Sequence, residues 1–319
     1  MLKKFMKKII AKNKKISTNF QSNINYKMKV QYLLLLVPYV WGIVFFIIPT
    51  MLVVKISFAK SCWSLPPFAP LYEKISSSFY NVLIYLGNYI TLLTDSFYFS
   101  AMLSSCVLAL SATVICLIIG YAMAYAICKT SSKMRLILIL MVILPFGTSF
   151  LIRVYAWMSL LNTKGLINVC LMKLGLISSP IHFLDNNYAV CLVIVYCYLP
   201  FMIVPIYAAL DKIEKSLIEA AWDLGASNWQ AFWRVTVPLS FPGVMAGCTL
   251  VFVPVLGEFV IPDLIGGSRT LTIGQTIWSE FFSNRDWPLA CAIAVVLMCS
   301  FLFYALLAKI RTDLIKKGS

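Results

Sequence analysis

Histidine is nearly missing: the 319 residues include one, His182. Acids are scarce too, 12 Asp and Glu against 27 Lys and Arg. No Cys-x-x-Cys pair occurs among the ten cysteines, and eight of them (Cys106, Cys116, Cys128, Cys191, Cys197, Cys248, Cys291, Cys299) sit in apolar runs. Haem and zinc sites need donors at ligand spacing, and those are lacking. In apolar runs a thiol acts as a small hydrophobe. Cys62 and Cys170 fall outside the runs, and nothing in the sequence requires them to pair. No Gly-x-x-x-x-Gly-Lys-Ser/Thr loop is present, so any ATP used must be bound by another chain.

Charge itself is sparse. Only 12% of residues are charged and 61% are hydrophobic, which excludes a soluble domain and fits a polytopic membrane protein. The net charge of +15 would suit nucleic acid if it covered a surface, but it is concentrated at the N-terminus and at the ends of apolar runs. Topogenic lysines account for that without nucleic acid. Residues 1–30 carry nine lysines and no acid, and read as a cytoplasmic arm rather than a cleaved signal.

Six apolar runs are long enough to cross about 30 Å of hydrocarbon. They cover roughly Tyr32–Phe58, Ser100–Cys128, Leu136–Leu161, Tyr188–Leu210, Leu239–Val260 and Pro288–Lys309. The reading is an all-α, six-span permease domain over 31–310, with an arm at 1–30 and a cytoplasmic tail at 311–319. Residues 60–99 read as a loop with short interfacial helices. The basic arm, the 129–135 turn and the basic tail fall on one side, which sets N-in and C-in. The 211–238 loop then also faces the cytoplasm.

That loop holds the most informative stretch, Ser216–Pro238. Ser216 with Glu219 has capping-box spacing, and Ser227 with Gln230 repeats it. Gly225 stands where a helix would close in the left-handed conformation. The stretch reads as helix, glycine break, helix, outside the bilayer, with Pro238 opening the next span.

Glu219-Ala220-Ala221, then Gly225, Val235 and Val237-Pro238, resembles the EAA loop of ABC-importer permeases. LPFGTSFLIRVYAW (Leu144–Trp157), YLPFMIVPIYAAL (Tyr198–Leu210), GEFVIPDLIGG (Gly257–Gly267) and NRDWP (Asn284–Pro288) resemble the polyamine (spermidine/putrescine) branch, the PotH and PotB type. The Gly257–Gly267 stretch looks nearer to the putrescine type. The resemblance covers nearly the whole chain apart from the lysine arm. It implies a type I importer permease of the MetI-like fold in a bacterial inner membrane. It further implies a second, PotI-like permease, two copies of a cytoplasmic ATPase carrying ATP and Mg, and a periplasmic polyamine-binding protein. This chain would bind no cofactor or metal and perform no covalent chemistry. The residues expected to couple to the ATPase are Glu219, Ala220, Ala221, Asp223, Gly225 and Pro238.

A polyamine loses water only where carboxylates, carbonyls or aromatic faces replace it. Glu258, Asp263, Tyr155 and Trp157 are the candidates for the substrate path; Glu280, Asp286, Trp278 and Trp287 share the chemistry. Glu258 stands out because it follows an apolar run, where an acid faces a cavity or a partner. Asp286 beside Arg285 reads as structural. Arg153 is the other intramembrane charge, with two readings: a structural partner of a carboxylate (Glu258 included) or of carbonyls, and a gate. Two other functions stay open, a permease for another small solute and a scaffold without a path.

Overall fold

The computed structural model describes residues 35–76, 79–267 and 270–317; the expected arm at 1–30 and the end of the tail lie outside the described residues. In chain order the elements are α1 (Leu35–Ser57), a hairpin of β1 (Tyr72–Ser76) and β2 (Phe79–Val82), α2 (Gly87–Thr94), α3 (Ser96–Lys129), α4 (Ser132–Gly147), α5 (Phe150–Leu161), α6 (Leu166–Lys173), α7 (Asn187–Leu210), α8 (Lys215–Asp223), α9 (Asn228–Leu256), α10 (Ile273–Trp278) and α11 (Trp287–Lys317). α1, α3, α7 and α9 are each long and apolar enough to cross a membrane. α11 continues to Lys317 beyond its described apolar part, Trp287–Leu302.

The third expected run is not one straight span. Ser132–Gly147 and Phe150–Lys173 meet at 90°. Pro145 lacks an amide hydrogen and Gly147 adds backbone freedom, so the helix tightens into a 3₁₀ turn over Leu144–Gly147 and stops. Residues 60–99 also differ from expectation, because they hold an antiparallel hairpin with Tyr72 opposite Val82. α2 follows it and is clamped to the end of α1. Asn88 is buried and its Nδ2 donates to the carbonyls of Ser57 and Ala59, both at 2.9 Å. These are carbonyls that the end of α1 leaves without helical partners.

Two prolines are absorbed into continuous helices. Pro49 and Pro238 each follow a π-helical turn, Ile43–Ile47 and Phe232–Thr236. The wider turn re-pairs the carbonyls that proline cannot serve. Pro238 therefore does not start a new helix, and α9 runs unbroken from Asn228.

The core is the packing of α3, α7 and α9. On α3 the fully buried Ala109, Ala112, Cys116 and Ala124 keep one side narrow, with Gly120 among them. Small residues let helices approach closely where lipid supplies no hydrophobic drive. Met202 of α7 fills the joint. A Cβ on Gly120 would lie 2.9 Å from its Cγ, and one on Gly247 2.8 Å from its Sδ. At Gly243 the obstacle is backbone, the Pro205 carbonyl oxygen at 2.6 Å, which cannot swing aside. α1 stands outside this core and packs on α11.

We expect Gly243→Val to destabilise the fold by about 1–3 kcal/mol, the usual cost of overpacking, whereas Gly42→Val should be much milder, since nothing lies within 4 Å of a Cβ there. Thermal unfolding in detergent compares them; equal midpoints would contradict the packing.

Candidate functional site

The EAA segment projects from one end of the α3–α7–α9 core. α8 starts after Glu214 with no side-chain cap. Ser216 Oγ donates to Glu214 Oε2 at 3.3 Å, so the capping box expected at Ser216 and Glu219 does not form. The reason is register: the helix begins one residue before Ser216. At Ser227 the capping box is complete, with Gln230 N–H donating to Ser227 Oγ at 3.3 Å and Ser227 N–H to Gln230 Oε1 at 3.0 Å. Between the two helices Gly225 has φ of +82°. Its amide donates to the Trp222 carbonyl and that of Ala226 to Ala221. This is the glycine closure that satisfies the last carbonyls of a helix. Ala220 is exposed and Ala221 half-buried. Glu219, Asp223 and Pro238 are exposed.

The segment is anchored from beneath and apolar on its outer side. Phe232 packs edge-on against Tyr121 and Tyr125 of α3, with ring centroids 5.9 and 5.2 Å away. Leu217, Trp222, Leu224, Trp229 and Trp233 are exposed, Leu224 by 90%. Just before α8, Asp211 accepts from Arg135 Nη1, while Arg135 Nη2 donates to the Cys128 carbonyl at 2.9 Å. One guanidinium thus joins the ends of α3, α4 and α7 where the EAA segment begins. Both partners are partly exposed, so the pair fixes geometry more than it adds stability.

At the opposite side of the core Glu258 occupies the break that ends α9. It is 8% exposed. Its Oε1 accepts from the amides of Val260 and Ile261 at 3.0 and 3.4 Å, capping the π-helical turn Pro262–Gly266. Its Oε2 accepts from Tyr198 Oη at 2.6 Å. Arg153 is not its partner. Its guanidinium lies 4.8 Å from the Phe146 ring. Phe146 packs on Phe201 at 5.0 Å and Phe201 on Tyr198 at 6.0 Å. A chain of ring contacts, Phe146 to Phe201 to Tyr198, thus runs from Arg153 to Glu258.

The remaining candidates are dispersed. Trp157 packs on Tyr196 at 5.3 Å; Tyr155 and Asp263 are exposed. Trp278 stacks on Phe259 at 4.8 Å. Asp286 Oδ1 accepts from the Leu289 amide at 3.1 Å and so caps α11. Glu280 is buried, accepting from Tyr98 Oη and Asn284 Nδ2. Cys62 and Cys170 are both free thiols.

The sequence matches the family of binding-protein-dependent transport system inner membrane components over residues 30–315. The chain belongs to this family. It is 39% identical to the spermidine/putrescine transport system permease protein PotB of Haemophilus influenzae over 278 residues, 86% of this chain and 92% of that one. Identity to PotB of Escherichia coli strain K12 is also 39%, covering 81% and 88% of the two chains. The fold matches a bacterial alginate ABC importer at a TM-score of 0.65 and 20% identity, over 88% of this chain and 95% of that one. As a permease subunit of an ABC importer, the chain is no enzyme; hydrolysis belongs to a separate ATPase chain.

For such a permease the informative groups are those that hold breaks and ends in place, and composition alone did not single them out. Tyr198, Phe146 and Phe201 lie in stretches that carry the family resemblance, but nothing in their spacing points to a contact with Glu258 or Arg153, and Arg135 reads only as a topogenic charge. The Arg135–Asp211 contact joins residues 76 positions apart, which no local spacing could show.

Gly225 separates geometry from space: nothing lies within 4 Å of a Cβ there, yet φ is strongly positive. We expect Gly225→Val to insert normally and lose most ATP-driven uptake, and Gly225→Asn, which tolerates left-handed φ, to keep most of it. Uptake into vesicles by the two variants measures this; equal rates would contradict it.

Proposed function

We propose that this chain is one of two permease subunits of a polyamine importer, with putrescine the principal substrate and spermidine the alternative. The observation that carries the reading is 39% identity to permeases named for spermidine and putrescine transport, along 81–86% of the chain. The chemistry is alternating access. Two copies of an ATPase, holding ATP and Mg, dock on the EAA segments of this chain and of a PotI-like partner. A periplasmic binding protein delivers the substrate. The exposed Trp222, Leu224, Trp229 and Trp233 support this, since a large apolar surface just outside the spans calls for a protein partner. Glu219 makes no capping contact in α8, which leaves its carboxylate available to that partner.

The substrate path passes Glu258. Its carboxylate has only neutral donors around it, the Tyr198 hydroxyl and two amides. An uncompensated anion inside a span favours a cation. The ring faces of Tyr198 and Phe201 beside Glu258 continue the site, since aromatic faces attract ammonium groups. Asp263, five residues on from Glu258 and exposed, is a further acid that the substrate could meet. The topology is N-in and C-in, which puts the EAA segment in the cytoplasm and Glu258 toward the outside.

The complete transporter, reconstituted with labelled putrescine and spermidine, tests the assignment. Glu258→Gln should assemble, keep hydrolysis stimulated by the binding protein, and take up polyamine at least about tenfold more slowly, one lost ion contact being worth that much or more. Wild-type uptake at low substrate would remove Glu258 from the path. Failure of the wild-type transporter to move either polyamine would remove the substrate assignment.

A further inference from the structure

We propose that the broken third span is the face on which the second permease subunit packs, and that an acidic side chain of that subunit meets Arg153 there. The inference rests on the reading that two permeases work as a pair.

Arg153 lies in the first turn of α5, at the edge of a cavity of about 480 Å3 between α3, α4 and α7. The cavity walls are mostly apolar, among them Met123, Leu138, Val142, Leu199 and Ile203, with Thr130 and Tyr196 also lining it. The guanidinium rests over Phe146 and, at 5.8 Å, Phe150. Its Nε is sealed from solvent and has no hydrogen-bond partner. Among the described residues no carboxylate lies within ion-pair distance, and Glu258 is engaged by Tyr198. Arginine cannot discharge by losing its proton. Ring faces attract the cation but supply none of the acceptors that its five N–H groups need. The structure of this chain alone leaves a permanent charge half-satisfied in an apolar setting.

The backbone beside it has the same deficit. Gly147, Thr148 and Ser149 are exposed at the 90° bend. Thr148 Oγ1 turns back to the Pro145 carbonyl at 2.7 Å, and no side chain caps the start of α5. Interrupted helix geometry at membrane depth is tolerated only against protein or water. The surroundings favour protein: Leu144, Leu151, Ile152 and Tyr155 are all exposed around the bend, Leu144 by 74% and Ile152 by 65%. A water-filled lumen would not be skirted with leucine and isoleucine. A polyamine path would not present an unpaired cation. An apolar helix carrying one acid satisfies the charge and the apolar skirt together.

The test uses the assembled transporter. A photoreactive phenylalanine analogue at position 152, with Arg153 intact, should crosslink to the second permease. Arg153→Glu should lower co-purification of the second permease at least tenfold, while Arg153→Lys retains most of it. Lysine in place of one intramembrane acid of the second permease should restore assembly with Arg153→Glu. Crosslinks to lipid alone, no crosslink, or wild-type co-purification by Arg153→Glu would each overturn the proposal. Should the wild-type chain co-purify with no second permease at all, the paired-permease reading falls as well, so the two failures are distinguishable.

Discussion

Hydrocarbon offers no hydrogen-bond partners, so each interrupted helix and each charge in this chain has to be served by the protein itself. Much of the detail follows from that constraint. Pro49 and Pro238 remove donors, and π-helical turns re-pair the backbone before them. The end of α1 receives Asn88. The break after α9 receives the Glu258 carboxylate, which in turn takes the Tyr198 hydroxyl. The bend after Pro145 is the exception, with neither a cap nor a partner for Arg153. Most breaks in the core are thus served within the chain, while the bend beside Arg153 is left open.

The same core connects the regions assigned to substrate and to energy input. α7 carries Tyr198 near Glu258, Met202 between Gly120 and Gly247, and ends beside Asp211, which Arg135 holds. α9 begins in the EAA segment at Asn228 and ends at the Glu258 break, so a single helix runs between them. Phe232 seats its first turns on Tyr121 and Tyr125. Packing this close moves as a unit rather than bending. Displacement of the EAA segment would therefore reach Glu258 along one continuous helix.

The parts of this design written in local spacing were legible in the sequence. Four of the six apolar runs form helices long and apolar enough to cross a membrane, and Gly225 and the Ser227–Gln230 pair behave as their types dictate. The same rule misplaced Ser216, because a cap depends on where the helix starts, and Glu214 starts it earlier. Pro238 suggested a boundary that a π-helical turn dissolves, and the run Leu136–Leu161, read as one span, turns by 90° after Gly147. The hairpin at 72–82 followed no alternation strong enough to register. Glu258 was recognisable as unusual, but its donors come from 60 residues away and from its own following turn. An ion pair with Arg153 was a fair electrostatic expectation. What displaces it is tertiary packing: Arg153 rests on Phe146 and Phe150 while Glu258 takes the Tyr198 hydroxyl and two amides.

The central claim is that energy from a separate ATPase enters through residues 215–236. Amide hydrogen exchange tests it most directly, comparing this segment in the permease pair alone and after the ATPase is added, with and without ATP. The account predicts strong slowing across α8 and the first turn of α9 on ATPase association, and a further change on ATP binding. Unchanged exchange there, with protection appearing instead at another surface of the chain, would contradict it.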